Sequence, residues 1–277
     1  MEQLVAADDG CKLWTADSGS GHGLITCHGG PGMWDMFADL APDVGASARV
    51  LRWDQRGCGR SGRQGPYTIE RSIADIEAIR RHYDLGKVAV LGHSWGATLA
   101  LMYALAYPEQ VSRLVYVSGT GVDADRAWNT TYERNFQDRL GDSFMSWASL
   151  KARSRSRAEE REFLALQLGA DFADGQIRES QTARILDHGF EVNYQSNDQL
   201  TEDMHHRFAS GTVLESCRLL RLPILVVDGS QDIRPRWSVD SLCQALPEVQ
   251  RLTFDTGHIP WAEDEAGFVT AVRRFLE

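Results

Sequence analysis

Long apolar runs are missing from this chain. No stretch reaches the roughly 18 consecutive apolar residues that a membrane-crossing helix requires, so a membrane-spanning protein is excluded. The segment Met1–Asp9 shows no basic patch leading into an apolar one, so no secretory signal is expected and a cytoplasmic location is the expectation. Cysteine is sparse. Cys11, Cys27, Cys58, Cys217 and Cys243 stand apart at no metal-like spacing, and an odd set of isolated thiols fits a reducing compartment. Positive charge is also short: 29 Lys and Arg against 39 Asp and Glu leave a net charge of −10. Phosphate binding needs a basic surface, so nucleic acid is not an expected partner. Internal repeats and low-complexity tracts are absent, and nothing in the pattern specifies an oligomeric state.

What remains is a chain of 277 residues, 43% apolar and 25% charged, which is the composition of a folded globular protein. Its length suits one α/β domain with an insertion. A hairpin is predicted to turn at Asp8-Asp9-Gly10. Short apolar runs at Leu24–Cys27, Arg49–Trp53, Lys87–Leu91, Arg113–Val117, Leu222–Val227 and Val249–Phe254 read as strands. Between Ile69 and Tyr83, apolar residues Ile69, Ile73, Ile76 and Ile79 recur at helical spacing. From about Gly121 to Cys217 strand signals vanish and helix signals dominate. The charged stretch Lys151–Glu162 within it reads as a solvated helix face. A last amphipathic helix is expected from about Glu265 to Leu276. Strands alternating with helices imply a mostly parallel sheet covered on both faces, with ligands at the carboxyl ends of its strands.

The segment Gly92-His93-Ser94-Trp95-Gly96 follows one such strand and leads into a helix. A serine between two glycines at a strand-to-helix turn is a nucleophile elbow. Small residues there let the serine sit strained and exposed. A serine hydroxyl needs a base to take its proton, and the base needs an orienting acid. His258, in Asp255-Thr256-Gly257-His258, follows the last strand. Asp232 follows the strand before it, and is preferred to Asp228, which sits nearer the strand end. Ser94, Asp232 and His258 occur in the chain order of an α/β-hydrolase triad. Attack on a carbonyl creates an oxyanion that needs fixed N–H donors. The Trp95 N–H is one expected donor, and the Gly30 N–H, in His28-Gly29-Gly30-Pro31-Gly32, is the other. His93 is expected to pack behind the serine, His22 and His82 to be solvated, and His205 and His206 to bind no metal, for want of ligands at suitable spacing.

Together, His28-Gly29-Gly30-Pro31-Gly32, Asp54-Gln55-Arg56-Gly57-Cys58-Gly59-Arg60-Ser61 and Gly92-His93-Ser94-Trp95-Gly96 resemble the proline iminopeptidase branch of the α/β-hydrolase superfamily. The resemblance implies the α/β-hydrolase fold: a mostly parallel twisted sheet, helices on both faces and an inserted helical cap. It places a catalytic domain at residues 1–120 and 219–277 and the cap at 121–218. It implies no cofactor and no metal, and Asp54 and Arg56 as locks on the loops around the site. Family peptidases hold the substrate's amino group with cap glutamates. Here the matching stretch is Arg184-Ile185-Leu186-Asp187-His188-Gly189-Phe190, with Leu186 at the glutamate position and Asp187 one residue on, a step of about 100° around a helix. Asp187, Glu191 and Glu133 are therefore the candidate amine ligands, and Trp261 a further substrate-binding candidate.

Three functions compete on this reading. The leading one is a serine aminopeptidase or amidase acting on a small or short peptide substrate. An esterase, lactonase or thioesterase with the same triad is the second, favoured by Leu186 and by the cap aromatics. A ligand-binding protein on a hydrolase fold, with little turnover, is the third. Fold alone does not choose among them.

Overall fold

The computed structural model describes residues 1–277. The chain begins with strands β1 (Glu2–Ala6), β2 (Lys12–Gly19) and β3 (Gly23–Cys27), then helix α1 (Leu40–Val44), β4 (Arg49–Trp53) and α2 (Ile69–His82). Strand β5 (Val88–His93), helix α3 (Trp95–Ala106) and β6 (Val111–Val117) form its centre. Six helices follow with no strand among them: α4 (Trp128–Leu140), α5 (Phe144–Lys151), α6 (Arg157–Gly169), α7 (Gly175–Leu186), α8 (Tyr194–Ala209) and α9 (Thr212–Cys217). The chain then returns through β7 (Ile224–Gly229), α10 (Asp240–Ala245), β8 (Val249–Phe254), α11 (Pro260–Glu263) and α12 (Glu265–Leu276).

The eight strands form one sheet in the order β1-β2-β4-β3-β5-β6-β7-β8. Pairing is antiparallel for β1 with β2 and for β2 with β4, and parallel everywhere else. Side chains alternate between the two faces, as strand geometry requires. Ile25, Val88, Val90, Leu114 and Val226 join a core with α2 and α3. Their neighbours Leu24, Ala89, Leu91, Val115 and Val227 join a second core with α1 and α12. Central strands buried on both faces read as continuous apolar runs, and β3, β5 and β7 are buried along their whole length.

The spacing of Ile69, Ile73, Ile76 and Ile79 puts all four on the buried side of α2, whose first turn is capped by Thr68 accepting the Arg71 N–H at 3.1 Å. Some boundaries move. Helix α3 starts at Trp95, the residue after Ser94, because the elbow enters it directly. Strand β7 starts at Ile224 instead of Leu222, since Pro223 has no N–H for the ladder. The short helices α1, α10 and α11 carry too few residues for a periodicity to register. In the insertion, α8 and α9 send Leu200, Phe208, Val213 and Cys217 into the core that α2 and α3 also line. Phe136, Ala170 and Ile233 form a separate small cluster where α4 meets the loop after β7.

Candidate active site

Sterics build the elbow. A Cβ on Gly92 would lie 2.0 Å from the Gly96 carbonyl oxygen, and one on Gly96 would lie 1.9 Å from that of Cys27. Only glycine fits either position, so the chain can turn from β5 into α3 directly against the end of β3. Ser94 sits at the turn with φ +56°, a region that non-glycine residues rarely occupy. Its own N–H is bound to the Val117 carbonyl at 2.8 Å, which ties the strained turn to β6.

The loops after β7 and β8 meet beside it. A Cβ on Gly229 would lie 2.0 Å from the Gly257 carbonyl oxygen, so the two loops are in close contact. His258 Nδ1 donates to Asp232 Oδ2 at 2.6 Å, and both side chains are buried. The carboxylate can only accept, so a proton is on Nδ1, and in the neutral imidazole the lone pair then falls on Nε2. That Nε2 is buried and has no partner. His258 lines a cavity of about 290 Å³ together with Ser94 and Gly30. Burial alone would raise the Asp232 carboxyl, but the His258 imidazole beside it, its hydrogen bond and Arg234 hold it at about 2. The Asp232 side chain is therefore a carboxylate across the working range of pH. Asp228 is occupied elsewhere, by Arg236 at 2.8 Å, Arg251 at 2.6 Å and Thr253 at 2.8 Å.

Two further histidines are locked neutral. His93 Nε2 donates to the His258 carbonyl at 2.9 Å, and burial holds this imidazole well below the ordinary histidine range. His28 Nδ1 donates to the Gly29 carbonyl at 2.8 Å while Nε2 accepts the Gln55 N–H at 3.0 Å. Burial lowers His28 as well. Gln55 then bridges the glycine loop to the elbow: its amide donates to the His28 carbonyl at 2.7 Å and accepts the Trp95 indole N–H at 3.0 Å. The loop lies close against the elbow, where a Cβ on Gly29 would sit 3.3 Å from Ser94 Cβ. The backbone N–H groups of Gly30 and Trp95 donate to no protein acceptor. Arg56 is buried between Asp75 at 2.7 Å and Asp9 at 2.8 Å, and Asp54 accepts the Asp35 and Arg60 N–H groups, each at 2.8 Å. Both residues thus pin the loops behind the site.

The carboxylates expected to hold an amine are not brought to Ser94. Glu133 is exposed on α4 beside Asn129, and Asp187 is exposed at the end of α7 on Arg161. Glu191 is exposed and lines a neighbouring cavity beyond Leu164, Val192 and Tyr194. The end of α7 turns Asp187 outward while Leu186 beside it is buried. Trp261 is also corrected: it is buried beneath the site, its ring 4.7 Å from that of His93 and 5.6 Å from that of Phe268, and it does not line the cavity of Ser94. The carboxylate that does line the cavity is Asp171, after α6. Its Oδ1 accepts from Arg234 at 2.7 Å, its Oδ2 has no protein donor, and its carbonyl accepts the His258 N–H at 2.7 Å. Nothing in the sequence singles out Asp171, which lies in a polar insertion with no motif around it. No group of three or more His, Cys, Asp or Glu gathers as a metal site.

The sequence model described as alpha/beta hydrolase fold matches residues 24–264. This chain belongs to the α/β-hydrolase family. A proline iminopeptidase of Neisseria gonorrhoeae is 27% identical to this hydrolase over 285 residues, covering 89% of this chain and 86% of that protein. A putative proline iminopeptidase of Mycoplasma pneumoniae is 34% identical over 119 residues, which is 42% of this hydrolase and 38% of that protein. Among solved structures, a thermophilic esterase from Thermogutta terrifontis superposes with a TM-score of 0.76 at 20% identity, covering 100% of this chain and 98% of that one. At such identity the likeness speaks for the fold alone. No helix of this hydrolase is long and apolar enough to cross a membrane.

Proposed function

We propose that this hydrolase is a serine enzyme working through an acyl-enzyme, with Ser94 as nucleophile, His258 as base and Asp232 as its orienting carboxylate. The observation that carries the reading is the bare, unpartnered Nε2 of His258, a residue on the wall of the cavity that also holds Ser94. A serine–imidazole contact is often long before substrate arrives. As Oγ bonds to the substrate's carbonyl carbon, Nε2 takes the hydroxyl proton. The carbonyl electron pair moves onto oxygen, which the free N–H groups of Gly30 and Trp95 receive. Nε2 then returns the proton to the leaving atom as the bond to it breaks. Water repeats the sequence on the acyl-enzyme. None of these steps calls on a cofactor.

The substrate class is a small amide with a free amino group, in the manner of an aminopeptidase. Two observations support it: relatives named proline iminopeptidase align over most of the chain, and Asp171 offers an unshared carboxylate oxygen to the cavity. Residues 121–218 serve as the cap that closes this cavity from above. The free thiols suit a reducing compartment such as the cytoplasm. Ester cleavage by the same triad is the second reading, favoured by the distance of Glu133, Asp187 and Glu191 from Ser94 and by apolar wall residues such as Phe163, Leu168 and Ile259.

A fluorophosphonate probe tests the mechanism: it should label the wild type and not Ser94→Ala. Aminoacyl anilides, their N-acetylated forms and aryl esters test the substrate class. Anilides with a free amine should be cleaved at least about tenfold faster than the acetylated forms, as expected for a desolvated ion pair. Turnover of esters alone would transfer the assignment to the second reading, and an unlabelled wild type would leave a binding protein.

A further inference from the structure

Helix α8 is bonded to two glycine-rich loops that lie more than a hundred residues earlier in the chain. The Asn193 N–H donates to the Gly32 carbonyl at 2.8 Å, and Asn193 Nδ2 donates to the Gly57 carbonyl at 3.0 Å. Asn197 Nδ2 donates to the Pro31 carbonyl at 2.7 Å. The packing is equally close, since a Cβ on Gly32 would lie 2.5 Å from the Asn193 carbonyl oxygen. Asn193 also caps α8, its Oδ1 accepting the Ser196 N–H at 3.0 Å, so the first helical turn is itself fixed. The backbone N–H of Asn193 and the side chain of Asn197, one helical turn on, thus hold adjoining carbonyls of the same loop.

The loop they hold has little stiffness of its own. Gly29, Gly30 and Gly32 supply no side chains, Gly30 and Gly32 sit at positive φ, and Pro31 has no N–H with which to tether itself. Yet a donor to an oxyanion must be held to within about 0.5 Å, and misplacement by about 1 Å can cost on the order of a hundredfold in rate. Outside restraints are therefore required: Gln55 holds the His28 carbonyl, the Asn193 N–H holds the Gly32 carbonyl, and Asn197 holds the Pro31 carbonyl, which adjoins Gly30 directly.

We infer that Asn197 is a positioning residue for the oxyanion site, holding the glycine loop so that the Gly30 N–H meets the developing negative charge. The inference rests on the serine-hydrolase reading above. It makes the cap helix part of the catalytic geometry and not only a cover.

The test compares Asn197→Ala and Asn197→Asp with the wild type. The aspartate keeps the volume and removes the donor. Thermal melts identify which variants are folded, and either folded variant suffices. The expected result is a fall in kcat of about tenfold or more, KM within twofold of wild type, and an unchanged pH profile because His258 is untouched. The rate of fluorophosphonate labelling should fall by the same factor as kcat, since the phosphoryl oxygen occupies the oxyanion site. A kcat and labelling rate within twofold of wild type would overturn the inference. So would a raised KM with kcat intact, which is the signature of a residue that only lines the cavity. A wild type that resists labelling overturns the serine reading, and this inference with it.

Discussion

Ser94 holds a backbone conformation that its own side chain disfavours. A non-glycine residue in this region carries about 1–3 kcal/mol of strain. Ser94→Gly is therefore expected to abolish turnover while stabilising the fold by about 1 kcal/mol, in spite of glycine's extra unfolded-state entropy. Thermal melts check it, and a lowered melting temperature would show that the turn is relaxed. In the proposed mechanism Asp232 acts through the tautomer of its neighbour. Asp232→Asn keeps the shape but permits the imidazole to place its proton on Nε2, where it blocks acceptance. A loss in kcat of about 10³- to 10⁴-fold is expected, with KM little changed. Such a loss separates Asp232 from Asp228, whose ion pairs lie away from the imidazole.

At the scale of elements, the site exists because β3, β5 and α3 approach more closely than side chains permit. The tightest point is Gly96, in the first turn of α3, against the Cys27 carbonyl at the end of β3. Gly96→Ala forces backbone apart and is expected to cost more than about 3 kcal/mol, read as insoluble or largely unfolded protein. Gly86, in the turn before β5, has open space for 4 Å around the point where a methyl group would stand, and no positive φ. Gly86→Ala should change stability by less than about 0.5 kcal/mol. Equal effects at the two glycines would contradict the steric account. The helical insertion is joined to the loops around Ser94 by hydrogen bonds: α8 reaches the glycine loop through Asn197, and the segment after α6 reaches the histidine loop through the Asp171 carbonyl.

At the scale of the whole molecule, an ionic cluster within α2 is tied to α3 by one hydrogen bond. Glu77 on α2 accepts from Arg80 and Arg81 at 2.8 Å and from the Tyr103 hydroxyl of α3 at 3.0 Å. The Arg80 bond leads, against a burial effect that would raise the group, and Glu77 is held at about 2 instead of its ordinary 4.5. A depressed carboxyl stabilises the fold above its unfolded value, and that stability is lost as pH falls toward the folded value. Glu77→Gln should thus lower stability near neutral pH by roughly 2 kcal/mol. The gap between variant and wild type should close between about pH 5 and pH 2. Denaturation at a series of pH values measures it, and a constant gap would mean that packing and not charge is lost. The strand and helix order, the serine elbow and the two loops that follow β7 and β8 were all legible in one dimension. Hydrophobic period and turn chemistry are local properties, and motif order along the chain survives folding. Which carboxylate reaches the cavity was not legible: Asp187, Glu191 and Glu133 face outward while Asp171 faces in. That outcome, like the meeting of Asn197 with Pro31 and of Arg234 with Asp171, depends on how six helices settle on the sheet. Contacts between residues so far apart in sequence leave no periodic trace, so only the assembled packing decides them.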